Sequence, residues 1–123
     1  MTDQGAGRGL GPLESEVMGV LWRADTPLAV RDVVAQLNVG RDAPLAYTTV
    51  MTVMTRLTSK KVLGRSRPGR QYVYAPLAAD SAEIAVRSVL DQFGDAALAR
   101  FVERVELDAR LRNRLKRLMG PRR

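Results

Sequence analysis

Residues 46–61, AYTTVMTVMTRLTSKK, decide how the rest of the chain is read. At a helical period Val50, Val53, Met54 and Leu57 share one stripe, and Thr48, Thr49, Thr52, Thr55, Arg56 and Ser59 fall on the other side. That outer face is rich in hydroxyls, positive and free of acids. Helix stability does not explain five threonines in such a run, because β-branched side chains lose χ1 freedom against the preceding turn. A hydroxyl exchanges hydrogen bonds with a base edge or a phosphate, and a threonine methyl can lie against a thymine methyl. The face therefore suits the major groove of DNA. A solvated helix whose polar face has no task fits the same pattern. Leu45 and Ala46, at the expected cap, offer the first amides no side-chain acceptor, which leaves those amides to water or to a phosphate.

Upstream, Pro12 suits a first helical turn, and Glu14 and Glu16 lie near the positive end of its dipole. Leu13, Val17, Val20 and Leu21 recur at helical spacing, with Met18 and Trp22 widening the stripe, which predicts a helix over 12–23 with Trp22 as a packing residue. Asp25, Thr26 and Pro27 end it, and Leu28 and Ala29 leave room for a very short strand. A second helix is predicted over 30–38, with Val30, Val33, Val34 and Leu37 inward. Arg31 sits near its start, where the dipole disfavours a cation unless a phosphate lies there. A turn over 40–44 leads into the threonine helix, and two short helices joined this way make a helix-turn-helix. Residues 1–11, with four glycines, read as a flexible tail.

Downstream, Lys60 and Lys61 suit the helix C-terminus, and the period then drops from 3.6 to 2. Residues 62–67 and 71–75, divided by Pro68-Gly69, predict a β-hairpin with Arg65, Arg67 and Arg70 crowded at its tip. Alternate arginines share one face of a strand, and their mutual repulsion is relieved by a phosphate backbone. An edge strand protected from aggregation by charge is the competing reading. Three helices followed by a hairpin form a winged helix-turn-helix.

Composition narrows the function. Residues 1–40 hold three basic and five acidic side chains, residues 41–75 seven and one, and residues 76–123 ten and seven. The overall +7 is thus focused on the middle third, which favours a polyphosphate partner, nucleic acid before membrane. With no cysteine and no histidine, the residues offer no zinc site, disulfide framework or nucleophile with a histidine base. The carboxylate pairs Glu14/Glu16 and Asp80/Glu83 lie where helix starts want negative charge, so no catalytic site, metal or cofactor is expected. No apolar run approaches the ~20 residues that span a bilayer, and the glycine-rich start does not resemble a signal peptide. A cytoplasmic protein is expected.

The segments LESEVMGVLWR, VRDVV, AYTTVMTVMTRLTSKKVLGRSRPGRQYVYAP and RFVERV together resemble the penicillinase-repressor family of bacterial winged-helix regulators, over essentially everything from Leu13 to Met119. The resemblance implies a homodimeric transcriptional repressor on a near-palindromic double-stranded operator. Thr48, Thr49, Met51 and Thr52 would face the bases. Arg65, Arg67 and Arg70 of the wing would lie on the DNA backbone, and with them we group Arg31, Tyr47, Arg56 and Lys60. It also implies relief of repression by proteolysis, triggered by a membrane-embedded sensor protease. The matching bond joins Arg100 and Phe101, although the family's usual residue at the position of Arg100 is asparagine. The copper-responsive branch carries C-terminal cysteines, which this chain lacks.

Beyond Pro76 a helical region is expected over 77–123. Asp80 and Glu83 approximate a capping box. Ala82, Ala85, Val86, Val89, Leu90 and Phe93 form one stripe, continued after Gly94 and Asp95 by Leu98, Phe101, Val102 and Val105. A last helix over 108–119 carries Leu111, Leu115 and Leu118. A winged domain over 12–76 has its own core, so the extra stripe needs another partner, either an identical stripe from a second chain or the chain's own first domain. The dimer interface is accordingly expected at Val86, Val89, Leu90, Phe93, Leu98, Phe101, Val102, Val105, Leu111 and Leu115. Arg110, Arg112, Arg114, Lys116 and Arg117 flank the last stripe, and Glu103, Glu106 and Asp108 suggest that they belong to a salt-bridged surface. Two other readings compete with a repressor: an adaptor that binds protein through the threonine face, and a sequence-blind DNA-binding protein.

Overall fold

The computed structural model describes residues 9–121. They form α1 (Pro12–Arg23), α2 (Val30–Leu37), α3 (Tyr47–Ser59), β1 (Leu63–Ser66), β2 (Val73–Pro76), α4 (Ser81–Phe93), α5 (Asp95–Leu107) and α6 (Ala109–Met119). Residues 1–8 of the expected tail lie outside the described residues. Chain contacts divide the protein into two compact units, Met1–Val86 and Arg87–Arg123.

The first unit is three helices and a hairpin closed around one core. Val17, Met18, Val20 and Leu21 of α1 meet Val30, Val33 and Leu37 of α2 and Val50, Val53, Met54 and Leu57 of α3. Val62, Leu63 and Tyr74 close it from the hairpin side. β1 and β2 pair antiparallel with Arg65 opposite Tyr74 and Ser66 opposite Val73. Leu28 supplies the expected short strand as a single bridge: its N–H donates to Tyr74 O at 3.0 Å, and Tyr74 N–H donates to Leu28 O at 2.8 Å.

The helix ends follow from local chemistry. Gly11 and Ala29, which cap α1 and α2, have no side-chain acceptor, so acids one turn on reach back instead. Glu14 accepts from Gly11 N–H and Asp32 from Ala29 N–H, each at 3.1 Å. α3 stops in a Schellman arrangement: Lys61 N–H donates to Thr58 O and Val62 N–H to Leu57 O, both at 3.0 Å. Lys61 takes the left-handed φ of 64° that this ending requires.

The core does not stop at Pro76, where the sequence set the edge of the winged domain. Ala78 and Ile84 are both buried in it, and Trp22 Nε1 donates to Ala78 O at 2.9 Å. Trp22 is thus a packing residue, as its place in the stripe required. Ile84 was absent from the expected stripe of α4, which followed the alanines and valines on another side. Asp80 accepts from Glu83 N–H at 2.9 Å, but the return arm of the expected capping box lands on Ala79 N–H, at 2.6 Å.

In the second unit α5 and α6 pack on each other, and neither buries a side chain. Gly94, at φ 55°, starts α5, and Asp108 caps α6 by accepting from Leu111 N–H at 3.1 Å. Among the described residues no helix is long and apolar enough to cross a membrane.

Candidate nucleic-acid interface

The outer face of α3 is available over its whole length. Tyr47, Thr48, Thr49, Met51, Thr52, Thr55 and Arg56 are exposed, while Val50, Val53, Met54 and Leu57 hold the helix to the core. Met51, 44% exposed, sits among hydroxyls rather than in the core. Thr58 differs from the other threonines: its Oγ1 donates to Met54 O at 2.8 Å, so its hydroxyl serves its own helix. No side chain caps Ala46, and α3 has no acid in its first turn, unlike α1 and α2. Its start therefore lacks the reach-back carboxylate that neutralises the other two.

Asn38 sets the direction in which α3 leaves the turn. Its Oδ1 accepts from Leu45 N–H at 2.8 Å and its Nδ2 donates to Leu45 O at 3.1 Å, so one amide replaces a strand partner on both sides of Leu45. Gly40 supplies the positive φ of 71° in the same turn. The sequence signalled the turn through Gly40 and Pro44, whereas a two-way clamp across seven residues has no local signature.

A groove of about 460 Å³ runs between the start of α2, α3 and the wing. Ala29, Val30 and Arg31 line one side, Tyr47, Met51 and Thr55 another, and Arg65, Gln71, Tyr72 and Tyr74 the third. Three of the cations and aromatics expected on a phosphate backbone, Arg31, Tyr47 and Arg65, thus share one concave surface. At the tip the arrangement differs from the expected one. β1 ends at Ser66, so Arg65 lies on a strand while Arg67 and Arg70 lie in the connecting loop. Tyr72, which the sequence reading passed over, brings two of them together: the Arg65 guanidinium stands 4.1 Å from its ring centroid and that of Arg67 5.3 Å. Each is within cation–π range. An aromatic near the tip of an arginine-bearing hairpin was the available signal.

Lys60, expected on the DNA backbone, has a partner within the protein. Its Nζ lies 3.1 Å and 3.3 Å from the two carboxylate oxygens of Glu14, a residue only 6% exposed. The ammonium is therefore engaged in tying the end of α3 to the start of α1. Glu14, read from the sequence as a dipole partner, does two further things: it caps α1 and anchors Lys60. Arg41 likewise pairs with Glu16 at 2.9 Å. Arg56, by contrast, is exposed on the acid-free face.

The residues expected at the dimer interface, Val86 at the end of the first unit and the others in the second, lie on open or half-open surface. Val86, Val89, Leu90, Phe93, Leu98, Phe101 and Val102 are all exposed, and Val105, Leu111 and Leu115 are half-buried. Arg100 and Phe101 lie in the middle of α5, where Arg100 pairs with Glu103 at 2.8 Å.

Comparison with known proteins gives a consistent picture. The profile of a family described as "Penicillinase repressor" matches residues 10–120. The chain is 43% identical over 106 residues to proteins named "Transcriptional regulator BlaI" from two Mycobacterium tuberculosis strains, CDC 1551 / Oshkosh and H37Rv; the match covers 80% of this chain and 75% of each relative. Among solved structures, the solution structure of the DNA-binding domain of the repressor BlaI aligns with a TM-score of 0.51 at 27% identity, over 60% of this chain and 87% of that one.

Proposed function

The chain belongs to the penicillinase repressor family, and we propose that it acts as a cytoplasmic, dimeric transcriptional repressor, with no catalytic role, that holds a near-palindromic DNA operator. One observation carries this reading: the exposed, acid-free face of α3 opens into the same groove as Arg31 and Arg65. Thr48, Thr49, Met51 and Thr52 read base edges. Arg31, Tyr47, Arg56, Arg65, Arg67 and Arg70 neutralise phosphates, which supplies affinity without sequence choice. Lys60 supports the end of α3 through Glu14.

Dimerisation rests on the uncovered apolar stripe of α4 and α5. Phe93 and Phe101 are 55% and 46% exposed, an arrangement that an identical surface would cover. Linking two reading domains makes the second binding event intramolecular and multiplies affinity about 10² to 10⁴ fold when half-sites lie one helical turn apart. Relief of repression follows if a sensor protease cuts between Arg100 and Phe101. A bond inside a helix must unwind to enter a protease, so cleavage here competes with the dimer contact that covers Phe101.

Footprinting the purified chain on the region upstream of its own gene tests the reading. A protected palindrome with half-sites one turn apart is expected; uniform protection, or none, overturns it. A chain left intact by extract from induced cells while repression is lifted would remove the proteolytic step alone.

A further inference from the structure

α6 carries a dense run of positive charge. In 11 residues it carries Arg110, Arg112, Arg114, Lys116 and Arg117 and no acid. Arg110 and Arg112 lie near the start of the helix, where the dipole disfavours cations and the Asp108 cap carboxylate is what offsets them. Arg110, Arg114 and Arg117 recur at i, i+4 and i+7, a spacing that sets like charges beside one another on one exposed ridge. The acids expected to form salt bridges with this helix do not do so. Glu103 pairs with Arg100, Asp108 accepts from Leu111 N–H, and among the described residues neither these two nor Glu106 forms an ion pair with a cation of α6. Among the described residues no ion pair or hydrogen bond engages any of the five cationic heads.

We propose that the Arg110–Arg114–Arg117 ridge is a second phosphate-binding surface for duplex DNA, independent of sequence and separate from α3 and the wing. The inference rests on the DNA-binding reading above. Seven residues of helix rise about 10 Å, the axial length over which one strand of B-DNA presents about three phosphates. Charge and spacing therefore match a nucleic-acid backbone. A membrane surface fits less well, because a helix lying in the interface inserts its apolar face, and Leu111 and Leu115 are already half-buried within the unit. The ridge adds grip and salt dependence, while the choice of site stays with α3.

The test uses the full chain and two duplexes of equal length, the upstream region of its own gene and a scrambled sequence, with affinity measured against KCl concentration. Wild type is compared with the triple variants R110Q/R114Q/R117Q and R110K/R114K/R117K. For the glutamine variant the log–log salt slope becomes shallower by about 2 to 3 for each chain of the dimer whose ridge meets the duplex, at roughly 0.9 per lost phosphate contact. Both duplexes lose affinity by the same factor, and the lysine variant retains the wild-type slope. Sedimentation and melting of all three chains match, which separates lost charge from lost fold. An unchanged slope overturns the inference, as does a loss confined to the upstream duplex, an equal loss in the lysine variant, or lost binding to phosphatidylserine vesicles with DNA binding intact. If wild type does not distinguish the two duplexes, the operator reading fails; if it does and the glutamine slope is unchanged, only the ridge fails.

Discussion

The two units are written in the same helical grammar and end in opposite states. In the first, the stripes of α1, α2 and α3 meet and bury Val17, Met18, Val33, Val50, Met54 and Leu57 almost completely. In the second, the stripes of α5 and α6 pack on each other but leave Val105, Leu111 and Leu115 only half-buried and bury no side chain fully. Periodicity reports that a helix has an apolar face, and it is silent on what covers that face. The first unit answers from within; the second answers only if another surface arrives. The most direct way to break this contrast is the double substitution Phe93→Asp and Phe101→Asp. It places two charges on the proposed dimer surface and removes the linkage between reading domains, so operator affinity falls about 10² to 10⁴ fold. Sedimentation should show a monomer, and the first unit should still melt cooperatively. A variant that stays dimeric with unchanged affinity would move the interface elsewhere.

The contrast is sharpened from the other side by Thr48→Ala with Thr49→Ala. If sequence choice resides in the first unit alone, each lost base contact costs about 1 to 3 kcal/mol on the operator and little on scrambled DNA. Titration of both duplexes gives the answer. Equal losses on the two would mean that these hydroxyls meet phosphates rather than bases, and would favour a sequence-blind protein.

These two substitutions also mark how far the chain could be read before its fold was known. α1 and α3 were legible because long, regular stripes coincide with residues that start and stop helices: Pro12 at one end, and the change of period after Lys61 at another. The polar face of α3 was legible for the same reason, since a helix that is fixed on one side has its other side defined. Contacts between residues distant in sequence were not. Glu14 and Lys60 are 46 positions apart, and each had an adequate local explanation that concealed the other. Ile84 was missed because its neighbours Ala82, Ala85 and Val86 made a smoother stripe, and only the position of Ala78 and Trp22 shows which side of α4 the core takes. The salt-bridged surface expected on α6 failed for a related reason, as proximity in sequence placed acids near the arginines without aiming them.

Glu14→Ala tests the part of the first unit that the sequence hid. It removes the acceptor for both Gly11 N–H and the Lys60 ammonium, so it should destabilise the unit by about 1 to 3 kcal/mol, the usual consequence of stranding partly buried polar groups. For a domain of this size that is a fall in Tm of roughly 4 to 8 °C per kcal/mol. Affinity for DNA at low temperature should change little, because Lys60 acts here as a support. A large loss of affinity without loss of stability would return Lys60 to the DNA backbone.

The smallest effect separates order from charge at the wing. Tyr72 is half exposed and has little core to lose, yet it lies beside two guanidiniums that would otherwise repel and wander. Removing the ring leaves the net charge of the tip unchanged and releases its geometry. Exposed cation–π contacts are worth about 0.5 to 1 kcal/mol, so Tyr72→Ala should weaken binding roughly two- to fivefold on operator and scrambled duplex alike. Tyr72→Phe, which keeps the ring and loses the hydroxyl, should bind as wild type does. The salt slope should hold in both, since the same arginines still reach phosphates, only from a broader set of positions. A change of slope in Tyr72→Ala would mean that an arginine has left the backbone altogether, and the wing would then owe its contact to the ring's placement of charge rather than to charge alone.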